Sequence, residues 1–352
     1  YPPFRNLIIN GDMSIAQRTT SATSISSSGY HALDRFRFGF TDTDQLVATI
    51  SQDTDVPTGQ GFSNSMKFLV TTVESALDAN DALQIQYRME GQNCQNLKYG
   101  TSSAESLTLS FWVKSSVTGT YALSFKNSDD GGTKLNVNTY SISSANTWEK
   151  KTITISGDTS SNIDNTNANK LEVLWGLSAG SNYKGTSSSG WTSFGASKLF
   201  NGQTADIATT SSANFYLTGV QLEVGDSATP FEFLPFDMNL KRCQRYYHKT
   251  YDDTTAVGTV TTVGAVQTGT TATSTFVPMQ YFYPVRMRSA PTFTAYSSAT
   301  GTSGKFDSNA PSGDHNIGTG NIGMSNANFS SSTTSITATG FIRAHFEADA
   351  EL

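Results

Sequence analysis

Apolar residues recur at every second position through most of this chain, a period that predicts strands with one buried face. Phe36, Phe38 and Phe40 fall on one side of such a strand, with Arg35 and Arg37 on the other. Met66, Phe68 and Val70 alternate with Lys67 and Leu69, and Ile85, Tyr87 and Met89 oppose Gln84, Gln86, Arg88 and Glu90. Leu107, Leu109, Phe111 and Val113 oppose Thr108, Ser110, Trp112 and Lys114. Tyr121, Leu123 and Phe125 repeat the pattern ahead of a turn-forming stretch, 128–132, that holds Asp129 and Asp130. Ile153 with Ile155, and Leu171, Val173 and Trp175, continue it. Half-buried antiparallel strands with turn clusters between them build a sandwich or a jelly roll.

The stretch 218–232 adds detail. Val220, Leu222 and Val224 alternate with Gln221 and Glu223, whereas Phe215 and Leu217 alternate in the opposite phase. The phase slips at Thr218-Gly219, and an extra residue beside a glycine predicts a β-bulge. Pro230 marks the strand's exit, and the apolar Phe233-Leu234-Pro235-Phe236 hands over to a new unit. There Asp237 reads as an N-cap, with Leu240, Cys243 and Tyr247 at helical spacing, so a short helix is expected from 237 to about 246. Beyond it, 276–287, 290–296 and 335–346 are the clearest strand segments, with Pro278 and Pro284 confined to edges or bulges. The polar stretches 297–305 and 309–328 are expected as exposed loops. The expected fold class is therefore all-β: an N-terminal jelly-roll β-sandwich (1–236), a short connector helix (237–247) and a second, smaller β-sandwich (248–352).

Several motifs also carry a resemblance. Residues 6–18 (Asn6 to Arg18), 90–95, 107–114, 218–232 and 242–247 are similar to the jelly-roll domains of bacteriophage tail-fibre and other virion proteins. Those domains resemble β-sandwich carbohydrate-binding modules in turn. The likeness covers most of 6–247 and thins afterwards, although the closing Ala348 to Leu352 also looks like the natural C-terminus of such proteins. It implies a homotrimer, partners among tail or capsid proteins, host-surface polysaccharide as a ligand, and a place on the virion exterior. No heptad pattern accounts for trimerisation.

Composition narrows the function classes. Of 352 residues only 15% are charged and 11% are aromatic, with net charge −6. Aromatic and alternating apolar residues supply buriable surface, which argues against disorder. Nucleic-acid binding needs clustered cations that this chain lacks. No run approaches the roughly 20 apolar residues of a membrane-spanning helix, and no basic-then-apolar leader opens the chain at Tyr1. Cys94 and Cys243 read as small buried hydrophobes rather than a disulfide framework.

The catalytic templates fail on context. Gly318 to Gly323 spells a dinucleotide fingerprint but lacks a following amphipathic helix. His31, His248, His315 and His345 are scattered, without zinc-ligand spacing, and no Gly-x-Ser-x-Gly elbow occurs. Asp129/Asp130 and Asp252/Asp253 read as solvated turn acids rather than glycosidase pairs. No cofactor is expected. The resemblance raises a structural calcium between first and last strands, but Thr218-Gly219 stands where its carboxylates would be, leaving Asn10 and Asp12. The resemblance implies the function of a non-enzymatic bacteriophage tail fibre or receptor-binding protein attaching to host-surface glycan. Capsid decoration or a passive tail role is the alternative, and a polysaccharide depolymerase is a more remote one.

Sugar recognition needs an aromatic face for the apolar side of a pyranose and planar polar groups for its hydroxyls. Trp112 projects opposite the apolar side of its strand, and Gln84, Gln86 and Arg88 would supply partners if their strand lies nearby. Tyr183 and Trp191 stand in a Gly/Ser-rich loop as a second display. The same rings equally suit packing, Trp112 beneath a loop or against a neighbouring subunit and Trp191 as a plug at the end of the sandwich.

Overall fold

A computed structural model describes residues 4–128, 133–185, 189–269, 271, 273–318, 320–331 and 336–352. The chain forms two compact units, the first of residues 4–16, 20–235 and 352, the second of 17–19 and 236–351. Asp129 and Asp130 lie outside the described residues.

The first unit is a sandwich of two sheets. One has six strands in the order β1 (Ser21–Ile25), β4 (Val47–Asp53), β5 (Ser65–Thr72), β13 (Asn214–Val224), β7 (Leu107–Ser115), β10 (Glu149–Ile155). The other has seven: β12 (Thr192–Ser193), β9 (Lys134–Ile142), β8 (Gly119–Asn127), β11 (Asn169–Ala179), β6 (Ala82–Glu90), β3 (Phe36–Thr41), β2 (Gly29–Tyr30). The chain crosses between sheets at most connections, as in a jelly roll. The alternating apolar residues meet between the layers. Phe38 stacks on Phe68 at 5.6 Å, Phe111 meets Trp175 edge-on at 6.0 Å, and Tyr121 lies 5.7 Å from Phe215, each pair joining one sheet to the other. Arg35, expected beside Arg37 on the outer face, is instead buried just ahead of β3 and donates to the Arg88 carbonyl at 2.7 Å.

The N-terminal segment runs beside β13. Leu7 N donates to Leu222 O and Val220 N to Gly11 O, both at 2.9 Å, while the Asn6 amide bridges Val220 O and Leu222 N. A Cβ on Gly11 would sit 2.1 Å from Val220 O, so the approach requires glycine. Asn10 spends its side chain on Ile15 and on the carbonyl of Asp34, and Asp12 accepts from Ser14. Burial pushes the Cys94 thiol up to about 12, with Glu90 adding to it, so this cysteine behaves as an apolar filler.

The second unit opens with α1 (Phe236–Gln244). It starts one residue earlier than expected, so Asp237 lies in the first turn, favourable toward the helix dipole, rather than capping it. Eight strands follow: β14 (Tyr247–Lys249), β15 (Val266–Gly269), β16 (Pro278–Phe282), β17 (Thr292–Ser297), β18 (Lys305–Asn309), β19 (Ser312–Gly318), β20 (Asn326–Ser331) and β21 (Phe341–Asp349). The long β21 pairs with β14, β15, β17 and β18, and β19 passes from β18 to β20, which pairs with β16. These strands join into one eight-stranded sheet, and Phe329 of β20 packs 4.5 Å from Phe346 of β21 and 4.9 Å from Phe293 of β17, forming an aromatic core. Pro278 opens the terminal strand β16, as an edge position allows. The stretch 309–328 is corrected: it holds β19 and the start of β20 rather than one loop. Large apolar residues are sparse there, so no sustained alternation marked the strands. The Gly318 to Gly323 stretch leads into a strand, not a helix. Among the described residues no helix is long and apolar enough to cross a membrane.

Candidate functional site

The site is built on the outer face of the six-stranded sheet, around the predicted bulge. Thr218 on β13 sits opposite Trp112, but Gln221 is opposite Ser110, so three steps on β13 match two on β7. The extra residue lets Val220 return to the core, fully buried, after Phe215 and Leu217. Gly219 takes φ +61°, a left-handed backbone that glycine adopts without strain. A Cβ there would lie 2.6 Å from Phe62 Cζ and 3.1 Å from Trp112 Cδ1. The bare backbone is what lets the two rings close over the bulge.

The segment after β13 supplies the other wall. Phe231 and Phe233 alternate with Glu232, and the two kinds of side chain turn opposite ways. Glu232 accepts from the Phe4 and Asn6 amides at 2.6 and 3.0 Å and pairs with Arg5 at 3.7 Å. Phe231 meets Phe62 at 5.0 Å, Phe233 meets Phe62 at 5.2 Å, and the two are 4.8 Å apart. Edge-to-face and tilted pairs like these add about 0.5–1.5 kcal/mol each beyond area burial. Gln221 and Glu223, the outward residues of β13, clamp the segment. Gln221 Oε1 accepts Glu232 N at 2.8 Å, and Glu223 accepts the Thr229 amide and hydroxyl at 2.9 and 2.6 Å.

The result is a groove of about 440 Å³ lined by Gln60, Phe62, Trp112, Lys150, Phe231 and Phe233 and by residues 228–230. Trp112 is half-buried at its floor, with Lys150 beside it in register on β10. Further along the same face, Lys114 pairs with Asp55 and lies 4.2 Å from the Tyr216 ring centre. Burial pushes the Asp55 carboxyl up, but bonds from Lys114 and the Trp148 indole outweigh it and hold the group below its usual range.

The other predicted residues are elsewhere. Gln84, Gln86 and Arg88 lie on β6, in the seven-stranded sheet, whereas Trp112 lies on β7 in the six-stranded one. The condition that these strands be neighbours is not met. Their stripe is a network of its own. Arg37 and Arg88 donate to Gln86 Oε1 at 2.8 and 3.1 Å, and Arg88 and Lys126 meet Glu172 at 3.5 and 3.0 Å. Gln84 is buried, and among the described residues its Oε1 accepts no hydrogen bond. Tyr183 packs 6.3 Å from Phe200 in a small apolar cluster covering another part of that sheet. Trp191 meets Tyr99 edge-on at 5.7 Å and donates to Ser156 O at 2.8 Å, packed against the sandwich core.

Phe62, Gln60, Lys150, Phe231 and Phe233 carry the groove, and the sequence reading did not assign them to a site. The signal available was Phe-Glu-Phe alternation continuing past a strand's end. Among the described residues no group of three His, Cys, Asp or Glu could hold a metal ion.

No protein-family profile matches the chain, and no curated protein does. Among solved structures, the chain is similar to the enzymatically active domain of tailspike protein 4 from bacteriophage CBA120 (14% identity, TM-score 0.35), over 63% of this chain and 22% of that one. It spans about a fifth of that protein. It is similar to a family 4 carbohydrate-binding module (12%, TM-score 0.32; 61% of this chain, 97% of the other). A third is a family 11 carbohydrate-binding module from Clostridium thermocellum in complex with a β-1,3-1,4-mixed-linked tetrasaccharide (11%, TM-score 0.29; 59% and 97%).

Proposed function

We propose that the first unit binds carbohydrate, without catalysing its cleavage, in the aromatic groove on the outer face of the six-stranded sheet. The observation that carries this reading is the pairing of the half-buried Trp112 ring with the Phe62, Phe231 and Phe233 wall, flanked by the amide of Gln60 and the ammonium of Lys150. A pyranose has an apolar face and a hydroxyl rim, and this lining offers ring surface at the centre and hydrogen-bonding groups at its margin. Rings and donors suit binding, whereas hydrolysis calls for two carboxylates across a cleft. The jelly-roll resemblance supports a role on a bacteriophage virion, as a tail fibre or receptor-binding protein attaching to host-surface glycan. Threefold presentation on such a fibre raises a weak single-site affinity through effective concentration.

A glycan array followed by titration calorimetry tests the reading. Stacking that removes about 60 Å² of Trp112 from water at about 25 cal/mol per Å² contributes about 1.5 kcal/mol, roughly tenfold in affinity. Trp112→Ala is therefore expected to weaken binding about tenfold while the protein stays folded. Failure of the purified chain to bind any glycan, together with tight docking onto other virion proteins, would move it to the decoration or passive structural role.

A further inference from the structure

We propose that the sugar held in this groove is acidic, a uronic acid or similar residue whose carboxylate is met by Lys150. This rests on the reading that the groove binds carbohydrate. Lys150 is the one ionisable side chain in the lining, it is exposed, and among the described residues no carboxylate pairs with it. The other lysines of this face are matched: Lys114 by Asp55, and Lys67 by Asp53 at 3.1 Å. Two acids that border the groove wall, Glu223 and Glu232, are already engaged. Glu223 accepts from Thr229, and Glu232 accepts from the Phe4 and Asn6 amides, with Arg5 ion-paired to both. In a chain of net charge −6, the ionisable residue of the groove lining is thus a lysine.

The register sets the geometry. Lys150 lies directly opposite Trp112 across the β10–β7 pair, where facing Cβ atoms stand about 5 Å apart. A pyranose ring stacked on the indole with its exocyclic substituent on the β10 side brings that group to the lysine. A neutral hydroxymethyl group there would gain one hydrogen bond, whereas a carboxylate gains a charge-assisted one. Lys150 is solvent-exposed, so the gain is modest and weakened by salt.

The test uses the full chain and matched oligosaccharides: oligogalacturonate, oligoglucuronate and oligomannuronate, each beside its methyl ester, with neutral glycans on the same array. At least one acid is expected to bind about three- to fivefold tighter than its ester in 20 mM salt. That preference should shrink in 300 mM salt and vanish in Lys150→Met, while Trp112→Ala weakens acid and ester alike. Equal binding of every acid and its ester, or a preference unchanged by Lys150→Met, overturns the inference while leaving the carbohydrate reading standing. Trp112-dependent binding confined to neutral glycans does the same. Binding to no glycan at all removes both.

Discussion

The two outer faces of the first sandwich present contrasting uses of polar side chains. On the seven-stranded sheet, Arg37, Gln86, Arg88, Glu172 and Lys126 sit on neighbouring strands in cross-strand register and bond to or ion-pair with one another. On the six-stranded sheet, Gln221 and Glu223 are equally committed, but what they hold is the segment that carries Phe231 and Phe233. One face spends its hydrogen bonds on itself. The other spends them on positioning aromatic rings, and leaves Lys150 unpaired beside Trp112 among the described residues. On one face polar residues are matched to each other, whereas on the other they aim apolar ones.

The strongest way to collapse this contrast is at the bulge. Gly219→Ala places a methyl group against Phe62 and Trp112 in a left-handed backbone, and should cost about 2 kcal/mol or more in denaturant unfolding. It should also weaken glycan binding at least as much as Trp112→Ala. Normal binding in a destabilised Gly219→Ala protein would mean that the groove does not depend on the bulge.

Next in size is the opposite face. Glu172→Ala leaves Arg88 and Lys126 without their shared acceptor, and since both cations are about a quarter exposed, the expected cost is about 1–2 kcal/mol. Calorimetry should find glycan affinity unchanged. A loss there would make the stripe, not the groove, the binding surface. The smallest effect expected is a gain. The buried carbonyl of Gln84 accepts nothing among the described residues, so Gln84→Met, similar in shape and without that carbonyl, should stabilise the unit by up to about 1 kcal/mol. Clear destabilisation by Gln84→Met would show that this side chain is satisfied in solution.

Much of this was legible from periodicity. The strands carrying Phe36, Met66, Ile85, Leu107, Tyr121 and Leu171 each bury an alternating apolar set, so their positions and faces could be read one residue at a time. The bulge at Thr218-Gly219 was readable for the same reason, since one extra residue reverses the phase. The strands β18 to β20 were not. Lys305–Asn309 and Ser312–Gly318 hold few apolar residues, and their pairing depends on β21 and on each other rather than on their own pattern. Within the groove, the outward placement of Trp112 followed from Leu109, Phe111 and Val113. Phe62 gave no such signal, because it lies outside any strand.

Alternation settled which side of its strand each residue occupies, because β geometry has a strict period of two. It could not say which sheet a strand joins, and so could not tell that Trp112 and Gln86 belong to different layers. That choice rests on contacts between residues far apart in the chain, such as Gly219 against Phe62 or Glu232 against Asn6. A local pattern constrains a side chain's direction, whereas its neighbours depend on where the whole chain returns.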